Sequence, residues 1–367
     1  MPVSDPGVAT GDGVAFAEQL LTLIETAPVV TTYKYAVLLA LLDAAIETAD
    51  SSGTAPAAVS TELLALKILE LYWPQTRPYA GAEGFVLRQG RSGQAEIITA
   101  ISRFRSLLRN PTGSWSVARR ERPEEFDQLL AGIELRLAEN PLPRLSATPG
   151  WNVFKVDWAS TVRKTAFRDE EFRREVDLTL AAQTHLLRLT GLLRPVLFRH
   201  WAVLIMSMNR EHFEQGDLEA FLFGAERVAL QRLRQPLAEL QGGLCFYCSR
   251  KLGVDVDVDH FLPWSRYIDN GLENLVLAHH SCNVAKSAIM AAPKHLERWR
   301  QERAEENTYD IDLRQIADAH SWEYRPAVAL KAARALYFSL PGGTKLWLRE
   351  KELVDLVPVE IHTILRV

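Results

Sequence analysis

The chain is short of cysteine: three in 367 residues, all inside residues 245–286. Cysteines so few and so clustered fit a reducing cytoplasm better than an oxidising compartment stapled by disulfides. Strong charge of either sign is missing too, with a formal net charge of −4, so the global balance does not mark a nucleic-acid binder. Long hydrophobic runs are interrupted: the most apolar stretch, 178–206, carries Arg188, Arg194 and Arg199. No uncharged run there reaches the length of a bilayer crossing, and no membrane role is expected. The first residues, MPVSDPGVATGDG, have neither a basic n-region nor an apolar h-region, so no secretory leader is expected. Internal repeats and low-complexity tracts are likewise missing. What remains is 47% apolar residues in a chain long enough for two or three domains with a large core.

The cysteines define the central stretch. Cys245 and Cys248 form a Cys-x-x-Cys pair, and about thirty residues later His279 and Cys282 form a second pair with the same gap. Two such turns close on one tetrahedral zinc. His280 competes with His279 for that role, but only His279 keeps the two-residue gap. Between the pairs lie Asp259-His260-Phe-Leu-Pro263 and Asn274-Leu-Val, and after them Asn283-Val-Ala-Lys286. At these residues the chain resembles the HNH nucleases, the ββα-metal fold, in the subgroup with a zinc between two knuckles. The resemblance covers about 45 residues. It departs from the usual pattern at His279, where a third cysteine is common, and at Asn283, which replaces the last histidine of the signature.

The resemblance implies a mainly α, multi-domain protein with a small ββα-metal nuclease domain that hydrolyses DNA phosphodiester bonds. His260 is then the general base, a task suited to a group titrating near neutrality. Asp259 and Asn283 supply oxygen ligands of the kind that hold Mg2+ or Mn2+. Asn274 braces the loop that positions His260, and Lys286, one turn after Asn283, contacts a substrate phosphate or stands solvated on its helix. Asp255 and Asp257 alternate with valines and read mainly as the polar face of a half-buried strand, with Asp257 as a further metal ligand the alternative. The setting implied is bacterial restriction or antiphage defence, with a protein partner or a homodimer as further associations. An RNA-cleaving nuclease and a zinc-dependent nucleic-acid-binding module without catalysis are the competing readings.

Phosphate binding rests on local patches. Residues 101–122 hold Arg103, Arg105, Arg109, Arg119, Arg120 and Arg122 against Glu121 alone, and 188–210 hold four arginines and no acid. The motif itself is nearly neutral, with seven Lys or Arg against six Asp or Glu over 241–300. In chain order, 1–13 reads as a disordered tail and 14–110 as a helical N-terminal domain. Its helix–loop–helix pattern, with a turn or wing at Leu87–Ser92, suits a winged helix-turn-helix or a plain bundle. Residues 111–240 read as a hinge, rich in proline up to 150, followed by a stretch that is almost wholly helical from 167. The nuclease domain with its zinc site occupies 241–300, and 301–367 is a helical C-terminal extension that closes in short apolar runs fit for a strand or two.

Overall fold

The computed structural model describes residues 13–26, 31–79, 85–111, 113–210, 218–224 and 230–365. The expected tail lies outside these residues except for Gly13, which begins the first helix. In the N-terminal half, α1 (Gly13–Thr26), α2 (Tyr33–Glu47), α3 (Thr61–Tyr72), α4 (Glu96–Arg105), α5 (Trp115–Glu121), α6 (Pro123–Glu139) and α7 (Pro141–Ser146) are followed by the short α8 (Lys164–Phe167). The long α9 (Leu180–Met208) and α10 (Leu218–Phe223) complete it. Side-chain caps start several of these helices: Ser60 Oγ accepts from Leu63 N at 3.2 Å, and Thr179 Oγ1 from Ala182 N at 3.1 Å. Helix α2 is apolar on every side from Tyr35 to Ile46 except at Asp43, and is accordingly buried in the middle of the assembly against α3 and α9.

One apolar core runs from Phe16 to Phe223. The proline-rich stretch read as a hinge contributes Phe126, Leu130, Ile133 and Leu137 to that core, so α6 is packed structure rather than a linker. Three short strands, β1 (Ala58–Ser60), β2 (Phe154–Lys155) and β3 (Glu175–Leu178), form an antiparallel sheet in the order β1-β3-β2. Strand β3 corrects the expectation of an almost wholly helical stretch from 167: Val176 and Leu178 alternate inward with exposed or half-buried neighbours, the period of a strand. At Leu87–Ser92 the described chain makes an isolated Gly90–Gly93 bridge and no two-stranded wing. Leu186–Leu193 and Arg199–Met208 are parts of one helix, α9, which continues through Pro195. By length and composition α9 resembles a membrane span, yet half of its apolar window is buried in the protein and Arg194 is 0% exposed against Asp43.

The second half begins with α11 (Arg234–Leu240), whose Pro236 sits in its first turn, where a missing N–H costs nothing. Strands β4 (Val256–His260) and β5 (Leu275–His279) then pair antiparallel, with Asp259 opposite Val276 and His260 opposite Leu275. Helix α12 (His280–Lys286) follows at once and packs on both strands, completing ββα. Beyond it come α13 (Pro293–Glu302), α14 (Asp310–His320) and α15 (Pro326–Phe338). The hairpin β6 (Lys345–Arg349) and β7 (Glu352–Asp355) and the last helix α16 (Pro358–Leu365) close the chain. The C-terminal extension is thus not purely helical, and its hairpin is tied to the nuclease segment by Ala292 N donating to Trp347 O at 2.8 Å. A second core joins Phe246, Phe261, Trp299 and Trp347 to Ala45, Ile46 and Ala49 at the end of α2 and just beyond it. Buried polar contacts cross the same seam. Tyr267 donates to Glu47 Oε1 at 2.6 Å, and Arg194 both pairs with Asp43 and donates to Arg266 O at 3.1 Å. The 261–274 connection between β4 and β5 is therefore held from outside by N-terminal helices.

Candidate active site and metal centre

The zinc ligands expected from spacing come together. The ligand atoms of Cys245, Cys248, His279 and Cys282 all lie within 4.8 Å of one another. His279 Nε2 lies 3.0 Å from Lys251 O, and a carbonyl only accepts, so Nε2 carries the proton and Nδ1 offers its lone pair toward the cysteines. His280 turns the other way, with Nδ1 2.7 Å from Asp257 Oδ2, which settles the choice between the two histidines in geometry. Burial opposes ionisation of Cys248, but hydrogen bonds from Arg250 prevail and bring it down to about 6. Cys282 is pushed up to about 12 by burial and by the neighbouring Cys245 and Cys248. Three thiols this close ionise together only around a cation, and a soft Cys3His set at this spacing fits Zn2+.

The residues expected to perform chemistry gather at the C-terminal end of β4 and the first turns of α12. Asp259 points under the sheet, 9% exposed, and both of its contacts fall on Oδ2: the Tyr247 hydroxyl donates at 2.5 Å and Lys286 Nζ at 3.0 Å. Oδ1 takes no hydrogen bond or ion pair among the described residues. Asn283 Nδ2 donates to Asp257 Oδ2 at 3.0 Å, which assigns the amide nitrogen inward and leaves Oδ1 as the free oxygen. Burial works against the charge on Asp257, yet the hydrogen bonds from Asn283 and His280 outweigh it and hold the carboxyl below its usual range. Asp257 is thus engaged in orienting Asn283. Two hard oxygens from facing elements fit Mg2+ or Mn2+ better than zinc.

His260 is 7% exposed, with its ring 4.9 Å from that of Trp264 and its Nε2 2.9 Å from Asn270 Oδ1. An amide oxygen accepts only, so Nε2 is protonated and Nδ1 keeps a lone pair. Burial pushes the imidazole below its ordinary value, which keeps it neutral at pH 7 and able to take a proton. Asn274, 0% exposed, ties the β4–β5 connection together: its Oδ1 accepts from Leu262 N at 2.8 Å and its Nδ2 donates to Asp269 O at 3.1 Å.

Lys286 stands apart from the expectation of a phosphate contact or a solvated helix position. Its side chain is 0% exposed, and Nζ donates to His260 O at 2.8 Å as well as to Asp259. The i, i+3 relation to Asn283 put it on the right face of α12, but that face is the one laid on the sheet. Two site residues escaped the sequence reading. Tyr247 is hidden inside the first knuckle as an aromatic between cysteines, and Asn270 sits in an Asp-Asn-Gly turn signal that carries no chemical mark.

Residues 245–292 match the HNH endonuclease family, the stretch that holds both constellations. Residues 13–222 match a family described as a domain of unknown function, DUF8808, which covers nearly all of the N-terminal core and more than half of the chain. No curated protein and no solved structure matches. The protein therefore belongs to the DUF8808 family, with an HNH endonuclease domain following the shared domain.

Proposed function

We propose that the protein is an endonuclease that hydrolyses DNA phosphodiester bonds with Mg2+ or Mn2+, in a bacterial restriction or antiphage setting. The observation that carries the catalytic reading is the Asn270–His260 hydrogen bond, which leaves the Nδ1 lone pair of a neutral imidazole to accept a proton, on the residue that follows Asp259. His260 accepts the proton of the attacking water, a step worth about 10²–10⁴ in rate. Asp259 Oδ1 and Asn283 Oδ1 would hold the divalent cation, which when bound supplies positive charge to the phosphate and to the leaving 3′-oxygen. Tyr247 and Lys286 fix the Asp259 carboxylate, and Asn274 keeps the connection that carries Asn270 in shape. The products expected carry 5′-phosphate and 3′-hydroxyl ends. The defence setting rests on the architecture alone, a large helical domain joined to a compact nuclease, where a partner controls cutting.

The test is cleavage of supercoiled plasmid in Mg2+, Mn2+ or EDTA by the native chain and by His260→Ala. Metal-dependent nicking or linearisation that disappears in the variant supports the proposal. Equal traces from both proteins overturn the role of His260. Preferential loss of an RNA competitor in the same tube would move the substrate from DNA to RNA.

A further inference from the structure

Away from the catalytic residues, α5 and α14 face each other across a cleft of about 370 Å3, within the size range of small-ligand sites. Its walls combine flat rings and cations. Trp115 rests on Phe126, Trp322 and Tyr324 line the opposite side, and Arg119, Arg120 and Arg314 surround them. Arg314 is committed to Asp310, with Nε 2.7 Å from Oδ2, and lies 5.4 Å over the Tyr324 ring. Arg119 and Arg120 are exposed and form no ion pair among the described residues. Two adjacent cations with no ion pair among the described residues, beside aromatic rings, suit a molecule that is part anion and part π-surface. Arg325 also lines the cleft but is paired with Asp269 and Glu323, and Asp318 stands on the α14 wall, so the local excess of positive charge is small, which favours a singly charged phosphodiester over a polyphosphate.

The cleft is also wired to the reaction centre. Trp322 lines it, and the same indole N–H donates to Asn270 O at 2.5 Å, while the side chain of Asn270 holds His260. One residue, Asn270, thus stands between the ringed, cationic recess and His260. We propose that this cleft takes an unpaired nucleotide of the substrate strand, its base against Trp322 and Trp115 and its phosphodiester on Arg119 and Arg120. The inference rests on the nuclease reading for its substrate and adds a preference: the enzyme engages nucleic acid with a single-stranded or flipped nucleotide near the cut. A base in a closed duplex has its faces covered by neighbours and cannot use the rings.

Binding measured without added Mg2+ or Mn2+, and without a chelator that would strip the zinc, separates this proposal from catalysis. The full chain is titrated into a labelled single-stranded oligonucleotide, a blunt duplex of the same sequence, and a strand of abasic sugar-phosphate, with a mononucleotide as competitor. The expected order is single strand tightest, with at least a tenfold loss for both the duplex and the abasic strand. Arg119→Ala/Arg120→Ala should weaken single-strand binding at least tenfold and reduce the slope of log K against log salt by about 0.7 for each arginine that meets a phosphate. Arg119→Lys/Arg120→Lys, which keeps the charge, should recover most of the binding, and an unchanged melting curve in both variants guards against misfolding. Equal affinity for duplex and single strand, or a double alanine variant that binds like the native chain, overturns the cleft assignment while leaving the nuclease intact. A mononucleotide that displaces the strand completely at micromolar concentration would assign the cleft to a free nucleotide instead, and overturn the strand subsite. Failure of every nucleic acid to bind the native chain would count against the nuclease reading itself.

Discussion

Lys286→Met replaces a fully buried ammonium with an apolar side chain of similar length. In the native chain Nζ meets two acceptors, Asp259 Oδ2 at 3.0 Å and His260 O at 2.8 Å. The variant leaves the Asp259 carboxylate, 9% exposed, with the Tyr247 hydroxyl as its remaining donor among the described residues, and leaves the His260 carbonyl without its lysine donor. Removing one member of a buried pair costs about 3–5 kcal/mol, because the partner charge stays behind uncompensated. For a folding unit of this size that is on the order of 10 °C in Tm. Thermal and urea unfolding of the full chain, followed by circular dichroism, measures the loss, and plasmid cleavage measures the effect on the site. A double-mutant cycle sharpens the result: Asp259→Asn added to Lys286→Met should restore at least half of the lost stability, since the orphaned charge is gone, but no activity. A phosphate-contacting lysine behaves otherwise, weakening nucleic-acid binding with Tm unchanged. If Lys286→Met melts within about 1 kcal/mol of the native chain, the bracing role assigned here is refuted.

Two further outcomes follow from the same geometry. Cys245→Ser should lower zinc content from one equivalent toward none and destabilise the second half of the chain, because structural zinc contributes folding free energy directly; elemental analysis with circular dichroism checks it, and retained zinc with native melting counts against the Cys3His site. Asn270→Ala should lower the cleavage rate about 10–100-fold by freeing the His260 tautomer, with zinc content and single-strand affinity unchanged; an unchanged rate would show that the imidazole does not need this oxygen.

The metal knuckles were legible because their chemistry is local. Two ligands two residues apart must come from a tight turn, and the pairs at 245/248 and 279/282 announce themselves without any knowledge of the fold. The alternation of Asp255 and Asp257 with valines likewise pointed to a half-buried strand, and β4 does run from Val256 with Asp257 half-buried, while the apolar periodicity of α2 and α3 dictates helices. Strand β3 was missed because four residues between helical segments carry too little period to outweigh their surroundings, and it is a strand because Ala58–Ser60 and Phe154–Lys155 lie on either side of it. The stretch 110–150 looked like a linker from its prolines, but a proline at a helix start is permitted, and Phe126 and Leu137 are buried where α6 packs against α3, α4, α5 and α7.

What the sequence by itself determined is the identity of the reacting groups: four soft ligands at zinc spacing, an Asp-His pair, and two asparagines. Tertiary structure alone decided how they are used. Lys286 became a buried brace because α12 lies on the sheet with that face down, Tyr247 reached Asp259 because the knuckle folds under β4, and Asn270 met His260 because N-terminal helices clamp the connection between the strands. Each of these depends on contacts between distant parts of the chain, whose distances are fixed by packing and leave no periodic or spacing signal in the residues that make them.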